Sequence, residues 1–161
     1  MIFVTLGSQK FQFDRLLQAL DGLIEKGIIT EPVFAQTGYS TYTPKHFTAQ
    51  AFLDREGFSA KMDQASLVIT HAGTGAIIGA VKKEKKVIAV PRLAKYGEHV
   101  DDHQTQIVAQ FNEMNLILGL EDTEQLEAAI LEIPNRQFNR YQSNTHRIIA
   151  DIEEFLGGCA L

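Results

Sequence analysis

Two short stretches of this chain carry residues whose types and spacing can do chemistry. The first is Thr70-His71-Ala72-Gly73-Thr74-Gly75, set between the apolar run Leu67-Val68-Ile69 and a helical pattern that begins at Ala76. Gly73 and Gly75 have no side chain to block a ligand and can adopt positive φ. The helix behind them offers unpaired N–H groups and the positive end of its dipole. Such a turn suits a phosphate or a pyrophosphate; alternatively it is only a tight strand-to-helix turn, since short Gly-x-Gly turns are common. The second stretch is Gly97-Glu98-His99-Val100-Asp101-Asp102-His103-Gln104, with two His, two Asp, one Glu and one Gln among its last seven residues. It leaves the strand Val87-Ile88-Ala89-Val90, which ends at Pro91. Ligands of open α/β sheets bind at the carboxyl ends of strands, so two polar loops on that edge favour a site over a plain surface.

The elements that must position these loops follow from the hydrophobic pattern. Met1 to Leu6 reads as a first strand, and Gly7-Ser8-Gln9 turns out of it. Phe11, Leu16, Leu17, Leu20, Leu23 and Ile24 repeat at helical spacing up to Gly27. Pro32 to Thr37 is a second strand ending at Gly38, and Ala49-Gln50-Ala51-Phe52-Leu53 a third. Phe58, Met62 and Ala65 mark a short helix into the Leu67–Thr70 strand. His103-Gln104 falls at or just inside a helix carrying Ile107, Val108 and Phe111, and Leu116-Ile117-Leu118 reads as a sixth strand. Asp122 or Thr123 caps a further helix with Leu126, Ala129 and Ile130, stopped by Pro134. A last helix is expected over about 140–156, with Ile148, Ile149, Ile152 and Phe155 on one side. Alternating strands and helices predict a single α/β domain over 1–161, a Rossmann-like, doubly wound and mostly parallel sheet. Loops near Gly7, Gly38, Ser59, Gly73 and Pro91 then share one sheet edge. The cluster Lys82-Lys83-Glu84-Lys85-Lys86 reads as a solvated helix end rather than a lipid or partner patch.

Composition narrows the class. Apolar residues make up 45% and charged residues 22% of the 161 residues, ordinary for a globular domain. A net charge of −5 gives no nucleic-acid footprint. The lone cysteine, Cys159, leaves no internal disulfide framework and fits a reducing compartment. No apolar run has the length of a membrane span and no leader is visible, so a cytoplasmic protein is expected, peripheral to the inner face of a membrane through a partner.

At this point the residues carry a resemblance. Phe58-(x)3-Met62, then Leu67 to Gly75, Val90-Pro91-Arg92 and Asp102-His103-Gln104, resemble the donor-binding half of a GT-B glycosyltransferase, and more narrowly the family-28 C-terminal domain. That domain occurs in the UDP-GlcNAc transferase of lipid II synthesis. It also occurs as the small catalytic subunit of the eukaryotic transferase that acts on dolichol-linked GlcNAc. Val4 to Gln9, Gln36 to Ser40 and Gly97 to Gln104 resemble still more the small bacterial β-1,4-glycosyltransferase subunits of capsule and exopolysaccharide clusters. A GT-B enzyme has two Rossmann-like domains with the active site between them. The resemblance therefore implies a second, membrane-associated polypeptide that holds a lipid-linked acceptor, an undecaprenyl-diphosphate-linked sugar. It implies a UDP-hexose as donor, inversion to a β-linkage, no cofactor and no bound metal.

The resemblance also implies roles. Thr74 and Gly75 at the helix start, with Gly73 in the turn and donors from Gly7 and Ser8, would meet the charge on the departing UDP. The backbone near Ser59 would recognise uracil, and Gln104 with Thr105 would hold the hexose hydroxyls. The base that deprotonates the acceptor would be His71, His99 or His103, or come from the partner; the preferred alternative for His71 is a structural residue bonded to a loop carbonyl. One position departs from the pattern: relatives carry Asp or Glu one turn into the glycine-loop helix, on the ribose, where this chain has Gly79. A helical glycine costs about 1 kcal/mol relative to alanine, which predicts that something packs closely against it. The missing carboxylate keeps a second reading open, a non-catalytic subunit that activates or stabilises a partner transferase. A dinucleotide-dependent oxidoreductase fits less well, because no Gly-x-Gly-x-x-Gly follows the first strand and no acidic residue ends the second.

Overall fold

The computed structural model describes residues 1–142. Short apolar runs separated by polar turns give six parallel strands: β1 (Ile2–Thr5), β2 (Val33–Gln36), β3 (Thr48–Gln50), β4 (Leu67–Thr70), β5 (Lys86–Ala89) and β6 (Leu118–Gly119). They lie in the order β3-β2-β1-β4-β5-β6. The helices are α1 (Asp14–Glu25), α2 (Arg55–Gln64), α3 (Thr74–Lys82), α4 (His103–Glu113) and α5 (Leu126–Glu132).

The pleat divides the core into two layers. Ile2 and Val4 of β1, Leu67 and Ile69 of β4 and Ile88 of β5 face Leu16, Leu17, Leu20 and Leu23 of α1 and Leu126 and Ile130 of α5. Phe3, Val68, Val87 and Ala89 face Met62 of α2, Ile77, Ala80 and Val81 of α3, and Ile107, Val108 and Phe111 of α4. Burial on both faces is why the central strands read as unbroken apolar runs. The chain runs outward from β1 through β2 to β3, then returns to place β4 on the other side of β1. That reversal is the switch point of a doubly wound sheet, and the loops after β1 and β4 separate there to opposite faces.

Several expected boundaries move. The third strand is Thr48–Gln50, starting one residue earlier and ending three residues earlier than expected, and all three residues are exposed. This edge strand gains its place from backbone pairing with β2, so its side chains show no apolar pattern. The sixth strand is reduced to Leu118–Gly119, because Leu116 and Ile117 approach the sheet as buried coil. Phe11 precedes α1 rather than belonging to it. Asp122 does cap, but what it caps is a 3-10 turn at Thr123–Gln125 that leads into α5. Of the helix expected over 140–156, residues 140–142 have no regular structure and the rest lies outside the described residues.

The lysine cluster does end α3, with Lys82, Lys83 and Glu84 exposed as expected, but Lys85 and Lys86 are half-buried and the cluster also makes specific ties. Lys83 pairs with Asp63, Lys85 donates to the carbonyls of Asp63 and Ala65, and Lys86 to those of Ile133 and Pro134. These ammonium groups tie the ends of neighbouring segments together at the amino edge of the sheet. No helix among the described residues is long and apolar enough to cross a membrane.

Candidate functional site

The carboxyl ends of β1 and β4 stand in register, Thr5 beside Thr70, and the Thr70 hydroxyl donates to the Thr5 carbonyl at 3.0 Å. Just above this floor, Gly7 turns the chain with φ of +73°. Gly73 ends the β4 turn and directly precedes α3. The His71 imidazole lies between the two glycines. A Cβ on Gly7 would stand 2.5 Å from His71 Nε2, and one on Gly73 would overlap His71 Cε1. Gly38, with φ of +58°, brings a third turn alongside: a Cβ there would lie 2.8 Å from the Gly7 carbonyl oxygen. Gly7, Gly38, His71 and Gly73 therefore form one close-packed group at the switch point.

This changes the reason for two of the glycines. Gly73 has φ −75° and ψ 117°, so it does not need positive φ; it is glycine because His71 fills the space its Cβ would take. Gly75 sits inside α3, exposed, with nothing within 4 Å of a would-be Cβ. Gly79, one turn on, is half-buried but likewise has nothing within 4 Å of a would-be Cβ, so the close packing expected against it is absent. Gly75 and Gly79 lie on one helical face, where the α3 backbone is bare.

His71 is buried, 4% exposed, and its Nδ1 has no hydrogen-bond partner, so a loop-carbonyl bond through that atom is not made. Desolvation, with smaller contributions from Arg92 and His99, lowers its pKa to about 3. A neutral, walled-in and weakly basic imidazole is poorly suited to take a proton near neutrality. His99 stacks on Phe11 with ring centroids 5.0 Å apart. Its Nδ1 stands 3.4 Å from Asp101 Oδ1, and His103 Nδ1 stands 3.7 Å from Asp101 Oδ2. A hydrogen bond from the His103 amide, helped by the charges of both imidazoles, holds the Asp101 carboxyl below its ordinary range. One carboxylate thus stands between two imidazoles, of which His103 is the more open at 45% side-chain exposure.

Of the residues expected to hold a ligand, Gly7, Ser8, Gly73, Thr74 and Gly75 converge on the switch point. Gln104 lies at the start of α4 but is 1% exposed; its Oε1 accepts from the Arg92 amide at 3.1 Å, and its Nε2 has no partner. The Thr105 hydroxyl donates to the Asp102 carbonyl at 2.6 Å, inside the same helix start. Ser59 is not brought to the group. It lies within α2, exposed, and its hydroxyl is 3.4 Å from Lys83 Nζ beyond the far end of α3.

The sequence reading gave no role to the buried charges behind the crevice. Arg92 is 1% exposed; its Nη2 donates to the carbonyls of Leu6, at 2.7 Å, and Phe11, at 3.2 Å. Burial lowers its pKa to about 10, which still leaves it a cation at neutral pH. Glu98, also 1% exposed, receives Arg15 at both carboxylate oxygens (3.0 and 2.9 Å) and the Leu93 amide at 2.9 Å. Arg15 continues to Asp122 Oδ1 at 2.7 Å. The only signal in the sequence was a pair of charges, Arg92 and Glu98, bracketing a loop after a buried strand.

A doubly wound sheet with a bare helix start facing a glycine turn at its switch point defines a Rossmann-like half domain of the GT-B kind. Residues 1–155 match the glycosyltransferase family 28 C-terminal domain, and the chain belongs to that family. No curated protein matches the chain significantly. Among solved structures, MurG of Acinetobacter baumannii superposes with a TM-score of 0.57 at 18% identity, over 94% of this chain and 49% of that one. A glycotransferase of kitacinnamycin gives 0.59 at 12% identity, over 99% of this chain and 40% of its own. The NMR structure of ALG13 gives 0.58 at 18% identity, over 99% of this chain and 96% of that one. The chain therefore spans two fifths to half of the first two and nearly all of the third; at these identities the likeness is one of fold.

Proposed function

We propose that the chain is the donor-binding and catalytic subunit of a two-component inverting glycosyltransferase. It would move a hexose from a UDP-sugar to an undecaprenyl-diphosphate-linked sugar, in capsule or exopolysaccharide synthesis. The carrying observation is the juxtaposition of the Gly7 turn and the start of α3 across the switch point. As the bond between the anomeric carbon and the UDP oxygen breaks, negative charge gathers on the diphosphate. The N–H groups around Thr74 and Gly75 and the α3 dipole stand where that charge would be stabilised. The acceptor oxygen forms the new bond, and its proton goes to a base, His103 or His99 beside Asp101 or a group on the partner.

The exposed apolar residues support a partner across this edge. Among the described residues five large hydrophobics are exposed; Tyr39, Phe52, Tyr96 and Val100 lie on loops leaving the carboxyl ends of strands, and the fifth, Leu131, lies on α5. Exposed apolar side chains gathered on one edge mark an interaction surface. The partner would be the membrane-associated acceptor half, keeping this chain at the cytoplasmic face. The open space at Gly79 favours a second reading, a non-catalytic subunit that supports a partner transferase, since no carboxylate is there to hold a ribose.

Calorimetric titration with UDP, with and without the acceptor half, tests the first reading. Binding by the chain alone, lost in Gly73→Leu, is the expected result. Turnover of a UDP-sugar only when both chains are present then separates a catalytic from an accessory subunit. Absence of UDP binding under both conditions rejects the donor-site reading.

A further inference from the structure

The loop Gly7-Ser8-Gln9-Lys10 leaves β1 at the switch point, and a single buried nitrogen holds both of its flanks. Arg92 Nη2 donates to the carbonyl of Leu6, just before this segment, and to that of Phe11, just after it. The guanidinium lies 5.4 Å from the centroid of the Phe13 ring. From behind, Gln104 Oε1 accepts from the Arg92 amide and Glu98 Oε1 from the amide of Leu93. The loop after β1 and the loop after β5 are thereby joined across the end of the sheet, over 86 and 81 residues of chain.

This arrangement is costly if its only purpose is stability. A guanidinium out of water carries a large desolvation penalty, and Arg92 Nε and Nη1 are buried without partners. Glycine at position 7 makes the backbone there easy to deform. His71 fixes Gly7 against Gly73, but the Phe11 end of the loop has the Arg92 guanidinium as its tie to the rest of the edge.

We propose that Arg92 is a positioning residue: by holding both flanks of the 7–10 loop against the loop after β5, it fixes where Ser8, Gln9 and Lys10 stand at the switch point. The inference rests on the proposed function for what binds beside that loop, the diphosphate of a nucleotide, and does not require Arg92 to touch it. Gln104 acts through Arg92, holding its backbone, instead of through the hexose.

The test uses the full chain, with Arg92→Lys, Arg92→Met and the control Ile130→Ala, which weakens the core in α5 on the far side of the molecule. Lysine keeps the charge but lacks the fork that reaches two carbonyls. Amide hydrogen exchange is read at Ser8, Gln9 and Lys10, and UDP affinity by calorimetry. The expected result is exchange at those amides faster by about tenfold in both Arg92 variants, with β1 and β4 unchanged, and UDP affinity lower by about tenfold from the lost preorganisation. Ile130→Ala changes neither. Unaltered loop exchange overturns the clamp. Faster exchange with unaltered UDP affinity, or an equal loss of affinity in Ile130→Ala, overturns its role in positioning. If the wild-type chain itself binds no UDP, the nucleotide reading and the functional half of this proposal fall together, while the exchange data still decide whether the clamp exists.

Discussion

At the scale of single residues, His71 shows how burial redirects a group with chemical potential. Its pKa of about 3 lies below the ordinary value near 6.5, so between those pH values the unfolded chain binds a proton that the folded chain does not. Stability therefore rises with pH through that window and falls on acidification, with a limiting slope of about 1.4 kcal/mol per pH unit. Carboxylates titrate mainly below about pH 4.5, which leaves the upper part of the window to His71. Urea unfolding of the wild type should show a loss of about 1.5–2 kcal/mol between pH 6.5 and 5, and His71→Gln should flatten that limb. An equal loss in the variant would mean that another group is responsible. The same ring dictates Gly7 and Gly73, whose missing side chains leave room for it.

At the scale of elements, three helices end in the same way with different residues. After α1, Gly27 has positive φ, and Ile28 and Gly27 donate to the carbonyls of Leu23 and Ile24. After α3, Glu84 takes that position, with Lys85 and Glu84 donating to Ala80 and Val81; after α4 it is Asn115, with Leu116 and Asn115 donating to Phe111 and Asn112. These are Schellman closures, which favour glycine, accept asparagine, and strain a glutamate. Among the described residues, Glu84 has only an exposed pairing with Arg140 to set against that strain. Glu84→Gly should raise stability by about 1 kcal/mol, read as a higher urea midpoint with an unchanged m-value. A lower midpoint would show that the Arg140 pairing outweighs the backbone term.

At the scale of the whole molecule, the two sheet edges differ in character. The amino edge is closed by lysine-to-carbonyl ties, whereas the carboxyl edge combines the glycine turns, the His99–Asp101–His103 loop and the exposed Tyr39, Phe52, Tyr96 and Val100. If the acceptor half covers that edge, Val100→Asp, at a side chain 75% exposed, should weaken association at least about tenfold in sedimentation or co-purification. The thermal midpoint and UDP affinity should stay unchanged. Undiminished association would place the interface elsewhere.

The sheet, its parallel character and the carboxyl-edge loops were legible in the sequence because the strands are buried on both faces and the glycine turns lie between unlike periodicities. That the turns of Gly7, Gly38 and Gly73 meet at one edge was legible for the same reason, since residues at strand ends share an edge in any doubly wound sheet. The edge strand Thr48–Gln50 starts one residue earlier and ends three residues earlier than expected, because backbone pairing, which has no side-chain pattern, decides it. Tertiary structure alone decided the rest. Ser59 turned its hydroxyl toward Lys83 beyond the end of α3, Gly79 met open space, and His71 lost its solvent. Arg92 and Glu98 went inside because partners more than 80 residues away, at Leu6, Phe11 and Arg15, satisfy them there. Local pattern reports which face of an element is apolar; it holds no information about which distant carbonyl will meet a buried charge.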